Sequence, residues 1–126
     1  MSDLILDASA VLAFLNNENG ADVVERLIPD AKISSVNVAE VITRSLDLGH
    51  TLESAHKAFS MLGLEVISFD ERQAIKAAEL RTVTRVQGLS LGDRSCLSCA
   101  IVRNATAVTA DRQWTKFDLC PIELIR

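Results

Sequence analysis

Leu4-Ile5-Leu6-Asp7-Ala8-Ser9-Ala10 decides the fold: an apolar run stops at a carboxylate and passes straight into helix-forming residues. Leu4 to Leu6 are apolar at successive positions, so an extended segment here is greasy on both faces. That pattern suits a strand in the middle of a parallel sheet covered by helices on each side. Asp7 then stands at the carboxyl end of that strand. In open α/β sheets, ligands collect in the crevice outside the carboxyl ends of the strands, where the strand order changes direction. A first strand that delivers an acid to this edge directs attention to other acids that reach it. Three stand at comparable positions: Glu40, Asp93 and Asp111.

Outward from this stretch, Ala8 to Leu15 predicts a helix broken by Asn16-Asn17. Val23, Val24, Leu27 and Ile28 repeat at helical spacing as far as Pro29-Asp30. Ala31 to Ser34 reads as a short strand, and Ser34-Ser35 offers a cap for a helix from about Val36 to Leu48, stopped by Gly49. A further helix opens at Thr51 and runs to Leu62, closed by Gly63. Leu64 to Phe69 predicts a strand, with Asp70 capping a helix through about Val86. Asp93 leads Leu97, Ala100, Ile101 and Val102 into another helix. Ala105 to Thr109 is a β-branched strand running to Asp111, and Ile122 to Ile125 is a last strand. Strands alternating with helices predict an α/β fold, a central parallel sheet of four to five strands flanked by helices, in a single domain over residues 1–126.

Composition narrows the function. Apolar residues at 48 % and charged residues at 24 % are ordinary globular values that exclude a disordered or fibrous chain. No apolar stretch approaches the roughly 20 residues that span a bilayer, and Met1-Ser2-Asp3 lacks the basic start of a signal peptide, so a cytoplasmic protein without a membrane partner is expected. Cys96, Cys99 and Cys120 are odd in number and imply no disulfide framework. The net charge of −4 is the wrong sign for a protein that grips nucleic acid through many phosphates. A polyanionic substrate would need a bound cation or a local basic patch to offset the repulsion.

Four carboxylates meeting in one crevice raise each other's pKa unless a cation sits among them. Hard divalent ions take oxygen ligands, and such an ion can activate water and stabilise charge on a phosphodiester. Each acid also has a purely structural reading. Asp7, Asp93 and Asp111 could cap the helical turns that follow them, with Ser90-Leu91-Gly92-Asp93 a capping-box pattern, and Glu40 could pair with Arg44 one turn on. Ser9 and Thr109 flank the strand-end acids and could bond a carboxylate, a water or a phosphate, or serve only as turn hydroxyls. Arg94 and Arg112 adjoin proposed ligands and could reach phosphate, or remain solvated. Cys96-Leu97-Ser98-Cys99 lies mid-helix and reads as packing rather than redox chemistry, and Trp114 as a core or lid residue.

With these residues in view, the chain resembles the PIN-domain ribonucleases, most closely the VapC-type toxins of toxin–antitoxin pairs, over nearly its whole length. Leu6-Asp7-Ala8-Ser9-Ala10, Asn37-Val38-Ala39-Glu40-Val41, Leu89-Ser90-Leu91-Gly92-Asp93-Arg94 and Thr109-Ala110-Asp111-Arg112 each resemble a family motif, and all four acids match. The resemblance implies a three-layer PIN-like sandwich and Mg²⁺- or Mn²⁺-dependent cleavage of RNA. It further implies Asp7, Glu40, Asp93 and Asp111 as metal-holding catalytic acids, a homodimer and a cognate antitoxin. Two rivals stand beside it. A PIN fold could serve as a catalytically silent binding module. A receiver-type signalling domain shares the size and class, but Asp7 is followed by Ala8 rather than a second acid, and no Lys follows Val108-Thr109.

Overall fold

The computed structural model describes residues 3–126. Its elements alternate: β1 (Leu4–Leu6), α1 (Ala8–Leu15), α2 (Ala21–Leu27), a 3₁₀ turn (Ile28–Asp30), β2 (Ala31–Ser34), α3 (Ser35–Asp47), α4 (Leu52–Ser60), β3 (Glu65–Ile67), α5 (Glu71–Thr84), α6 (Leu91–Val102), β4 (Thr106–Thr109), a second 3₁₀ turn (Arg112–Lys116) and β5 (Ile122–Leu124). The five strands form one sheet in the order β3-β2-β1-β4-β5, and every pairing is parallel. β1 is therefore central, as its two greasy faces require. The chain runs outward from β1 to β3, then returns to the other side of β1 for β4 and β5. The switch point falls between β1 and β4.

Alternating side chains divide the core. Leu6, Ile33 and Val108 face one layer with Ala10 and Val11 of α1, Val24 of α2, Val41 of α3 and Phe59 of α4. Ile5 and Ala107, one residue along the same strands, face the other layer with Leu80 of α5, Cys96, Leu97 and Ala100 of α6, and the completely buried Trp114. The result is a three-layer sandwich, as expected.

Several boundaries differ from the sequence reading. The strand expected over Leu64 to Phe69 shrinks to Glu65–Ile67, because this edge strand pairs only with β2 and the Phe69 N–H turns away to Ser35 Oγ at 3.0 Å. α5 stops at Thr84 rather than Val86, and the chain then reaches Gly88 at φ 68°. α4 ends at Ser60, two residues before Leu62. α6 starts at Leu91 with Ser90 as its cap, which places Asp93 in the first turn, as the Ser90-Leu91-Gly92-Asp93 capping-box pattern predicts.

Candidate active site

Asp7 follows β1 directly and is only 4 % exposed. Three donors hold its carboxylate: Ser9 Oγ at 2.7 Å and the Ala10 N–H at 2.9 Å on Oδ1, and Thr109 Oγ1 at 2.6 Å on Oδ2. The helix-cap reading is thus correct, but it describes only part of the arrangement. Thr109, at the end of β4, also accepts the Asp111 N–H at 3.0 Å, and Ser9 accepts the Ala110 N–H at 3.0 Å. These two hydroxyls lace β1 to β4 across the switch point. Each donates its one proton to Asp7, so both orient the acid.

Burial pushes the Asp7 carboxyl up to about 6 despite those three bonds, and the charge of Asp93 adds to the rise. Glu40, on α3, is also raised, first by burial and further by Asp93, against the bond it accepts from Asn37. The charge of Asp93 therefore reaches both. This residue occupies the third position of α6, where its Oδ2 accepts the Ser90 N–H at 3.0 Å while Ser90 Oγ accepts the Asp93 N–H at 3.1 Å, a complete capping box.

Asp111 joins this group through the backbone. Its N–H reaches Thr109, while its Oδ1 caps the second 3₁₀ turn through the Gln113 N–H at 2.9 Å. The structure brings Asp7, Glu40 and Asp93 into one another's field and sets Asp111 beside them. Among the described residues, no three Asp, Glu, His or Cys side chains stand close enough to ligate one ion together. Even so, the donors suit a hard cation. They are carboxylate oxygens, Oδ2 of Asp7 keeps a free lone pair, and no lysine or arginine offsets the burial of Asp7 or Glu40.

The two arginines are committed elsewhere. Arg94 donates to the Ala77 carbonyl at 2.8 Å and the Leu89 carbonyl at 3.4 Å, fastening α6 to α5. Arg112 donates to the Arg126 carbonyl at 2.7 Å. Cys96 and Cys99 are buried; their thiols are pushed up, Cys99 to about 11, so both are protonated at neutral pH and act as packing.

Two residues at the site were not singled out from the sequence. Asn37 is buried on α3, and its Nδ2 donates both to Glu40 Oε1 at 2.7 Å and to the Gly92 carbonyl at 3.1 Å. Gly92 lies against the Glu40 carboxyl group so closely that an added Cβ would collide with it. A polar residue three positions before an acid on a mostly apolar helix face was the available signal for Asn37.

A family model described as "PIN domain" matches residues 4–119. No curated protein matches the sequence. Solved structures match across almost their whole length. VapBC2 from Rickettsia felis, bound to a DNA fragment from its promoter, has a TM-score of 0.73 at 23% identity over 96% of this chain and 97% of that chain. A toxin-antitoxin complex from Klebsiella pneumoniae has a TM-score of 0.78 at 15% identity over 98% of each chain. FitAcB from Neisseria gonorrhoeae has a TM-score of 0.76 at 21% identity over 97% of each. Likeness at these identities shows a shared fold.

Proposed function

Because the chain belongs to the PIN domain family, we propose that it is a divalent-metal-dependent endoribonuclease acting as the toxin of a toxin–antitoxin pair. The observation that carries this reading is the buried Asp7 at the sheet's switch point. Its carboxylate is oriented by two hydroxyls and a backbone N–H, yet no counter-charge offsets the desolvation that lifts it to about 6. A protein that only needed a cap there would gain nothing by burying an acid beside Asp93.

Asp7 would hold Mg²⁺ or Mn²⁺ directly, with Glu40, Asp93 and Asp111 reaching the ion through waters that fill the remaining positions. A bound ion supplies charge stabilisation for the phosphodiester and a lowered pKa for water. The chain's own part is orientation. Ser9 and Thr109 keep the Asp7 carboxylate in one rotamer across the β1–β4 seam, and the α6 capping box fixes where Asp93 points. Pre-set ligands of this kind lower the reorganisation needed when substrate arrives.

Partners belong to the same reading. An apolar groove of about 450 Å³, lined by Phe14, Leu15, Ile28, Met61 and Leu62 between α1, α2 and α4, offers an antitoxin segment a place to bind. Ile75 and Val83, 62 % and 56 % exposed on α5, support a second copy as a homodimer partner. A cytoplasmic location belongs to the same proposal; no described helix is long and apolar enough to cross a membrane.

The test is incubation of the purified protein with total cellular RNA in Mg²⁺ or Mn²⁺, with and without EDTA, followed by mapping of new 5′ ends. Discrete cuts that vanish with EDTA are expected. Cuts that persist in EDTA would overturn the metal dependence. Metal binding without cuts would favour the silent binding module.

A further inference from the structure

Glu40 and Asp93 come from elements far apart in sequence, and their like charges push them apart. Something other than a cation has to hold them in place before metal arrives. Asn37 has the geometry to do so. Its Nδ2 donates to Glu40 Oε1 at 2.7 Å and to the carbonyl of Gly92, the residue before Asp93, at 3.1 Å. One amide group thus ties the carboxylate of α3 to the first turn of α6.

The amide orientation is unambiguous, because a flip would set an oxygen against a carboxylate and a carbonyl. Asn37 is 1 % exposed, and its Oδ1 is left without a hydrogen-bond partner. Leaving a buried acceptor unpaired costs free energy. An apolar residue would fill this place more cheaply if packing were the only demand. The requirement is therefore for the two Nδ2 donations. Gly92 completes the seat, since any Cβ there would collide with the Glu40 carboxyl group.

We propose that Asn37 is a positioning residue that clamps the Glu40 carboxylate against the start of α6, with Gly92 as the gap that admits it. The clamp's role in metal binding rests on the reading of Glu40 as one of the metal-holding acids. Asn37 itself touches neither metal nor substrate.

The experiment pairs Mn²⁺ binding by electron paramagnetic resonance with NMR of the Asn37 side-chain amide. Wild type, Asn37→Leu and Gly92→Ala are titrated with Mn²⁺. Each variant is expected to bind roughly 10- to 100-fold more weakly, the usual cost of removing a partner of a ligand. Cleavage by Asn37→Leu should recover at high Mn²⁺, because Glu40 is still present, whereas simple loss of folded protein would lower activity at every Mn²⁺ concentration. In metal-free protein the Asn37 amide resonances should move on Glu40→Gln substitution. That readout needs neither variant to fold.

Mn²⁺ affinity unchanged in Asn37→Leu, or Asn37 resonances indifferent to Glu40→Gln, overturns the clamp. Wild type that binds no Mn²⁺ overturns the metal reading instead, and with it the role given to Asn37. The wild-type titration alone identifies that case.

Discussion

Asp7 is where chemistry and stability oppose each other. Its folded pKa, about 6, lies above the ordinary aspartate value of 3.8, so between these values the folded protein holds a proton that the unfolded chain has released. Unfolding free energy therefore falls as pH rises from about 4 to about 6, by on the order of 3 kcal/mol at one unit per 1.36 kcal/mol. The raised Glu40 acts in the same direction. In EDTA, the difference in melting temperature between Asp7→Asn and wild type should widen in favour of the variant across this window. Mg²⁺ should close the gap above pH 6. A difference that stays flat with pH would contradict the burial of an uncompensated acid.

Asp7, Asp93 and Asp111 were legible in the sequence because strand ends and helix starts are local signals. Asn37 was not, since its second partner lies 55 residues away and only the packing of α3 on α6 brings them together. For Arg94 the sequence left a phosphate contact and a solvated charge both open. Adjacency to Asp93 suggested a shared ligand, but successive residues on a helix point roughly 100° apart. Asp93 turns to the Ser90 N–H and lends its charge to Asp7 and Glu40, while Arg94 reaches back to α5.

Among the elements, α6 governs the site through its beginning. Ser90 caps it, Gly92 seats Glu40, Asp93 brings its charge into the field of Asp7, and Arg94 fastens it to α5. Ser90→Ala should cost about 1 kcal/mol, the usual value of a lost cap. Arg94→Ala should cost about 1.5–3 kcal/mol by removing the charge-assisted bonds that fasten α6 to α5. The two variants separate stability from recognition. Arg94→Ala is expected to lower the urea midpoint with little change in KM for RNA, whereas a large rise in KM with an unchanged midpoint would restore Arg94 as a phosphate contact. The α5–α6 connection is set by Gly88 at φ 68° and by Leu89, 3 % exposed, anchoring in the core. Helix periodicity records neither.

Across the whole molecule, the parallel order β3-β2-β1-β4-β5 concentrates acids at one edge of a chain with net charge −4. Such a surface cannot depend on many phosphate contacts. For a short single-stranded RNA, the slope of log kcat/KM against log salt should be shallow, no steeper than about −2, since each phosphate neutralised contributes about −0.7. A slope near −5 would reveal a basic groove created by assembly. The central parallel sheet was readable because β1 is apolar on both faces. The meeting of Glu40 with the start of α6 was not, because it depends on how α3 and α6 pack against each other.

The most direct measurement is RNA cleavage by Asp7→Asn beside wild type, at matched fold by circular dichroism and across a range of Mn²⁺ concentrations. A metal-holding Asp7 predicts cleavage lost at every Mn²⁺ concentration in a variant that melts no lower than wild type. A variant that cuts the same RNA at the same positions and rate would contradict the assignment of the buried acid to catalysis.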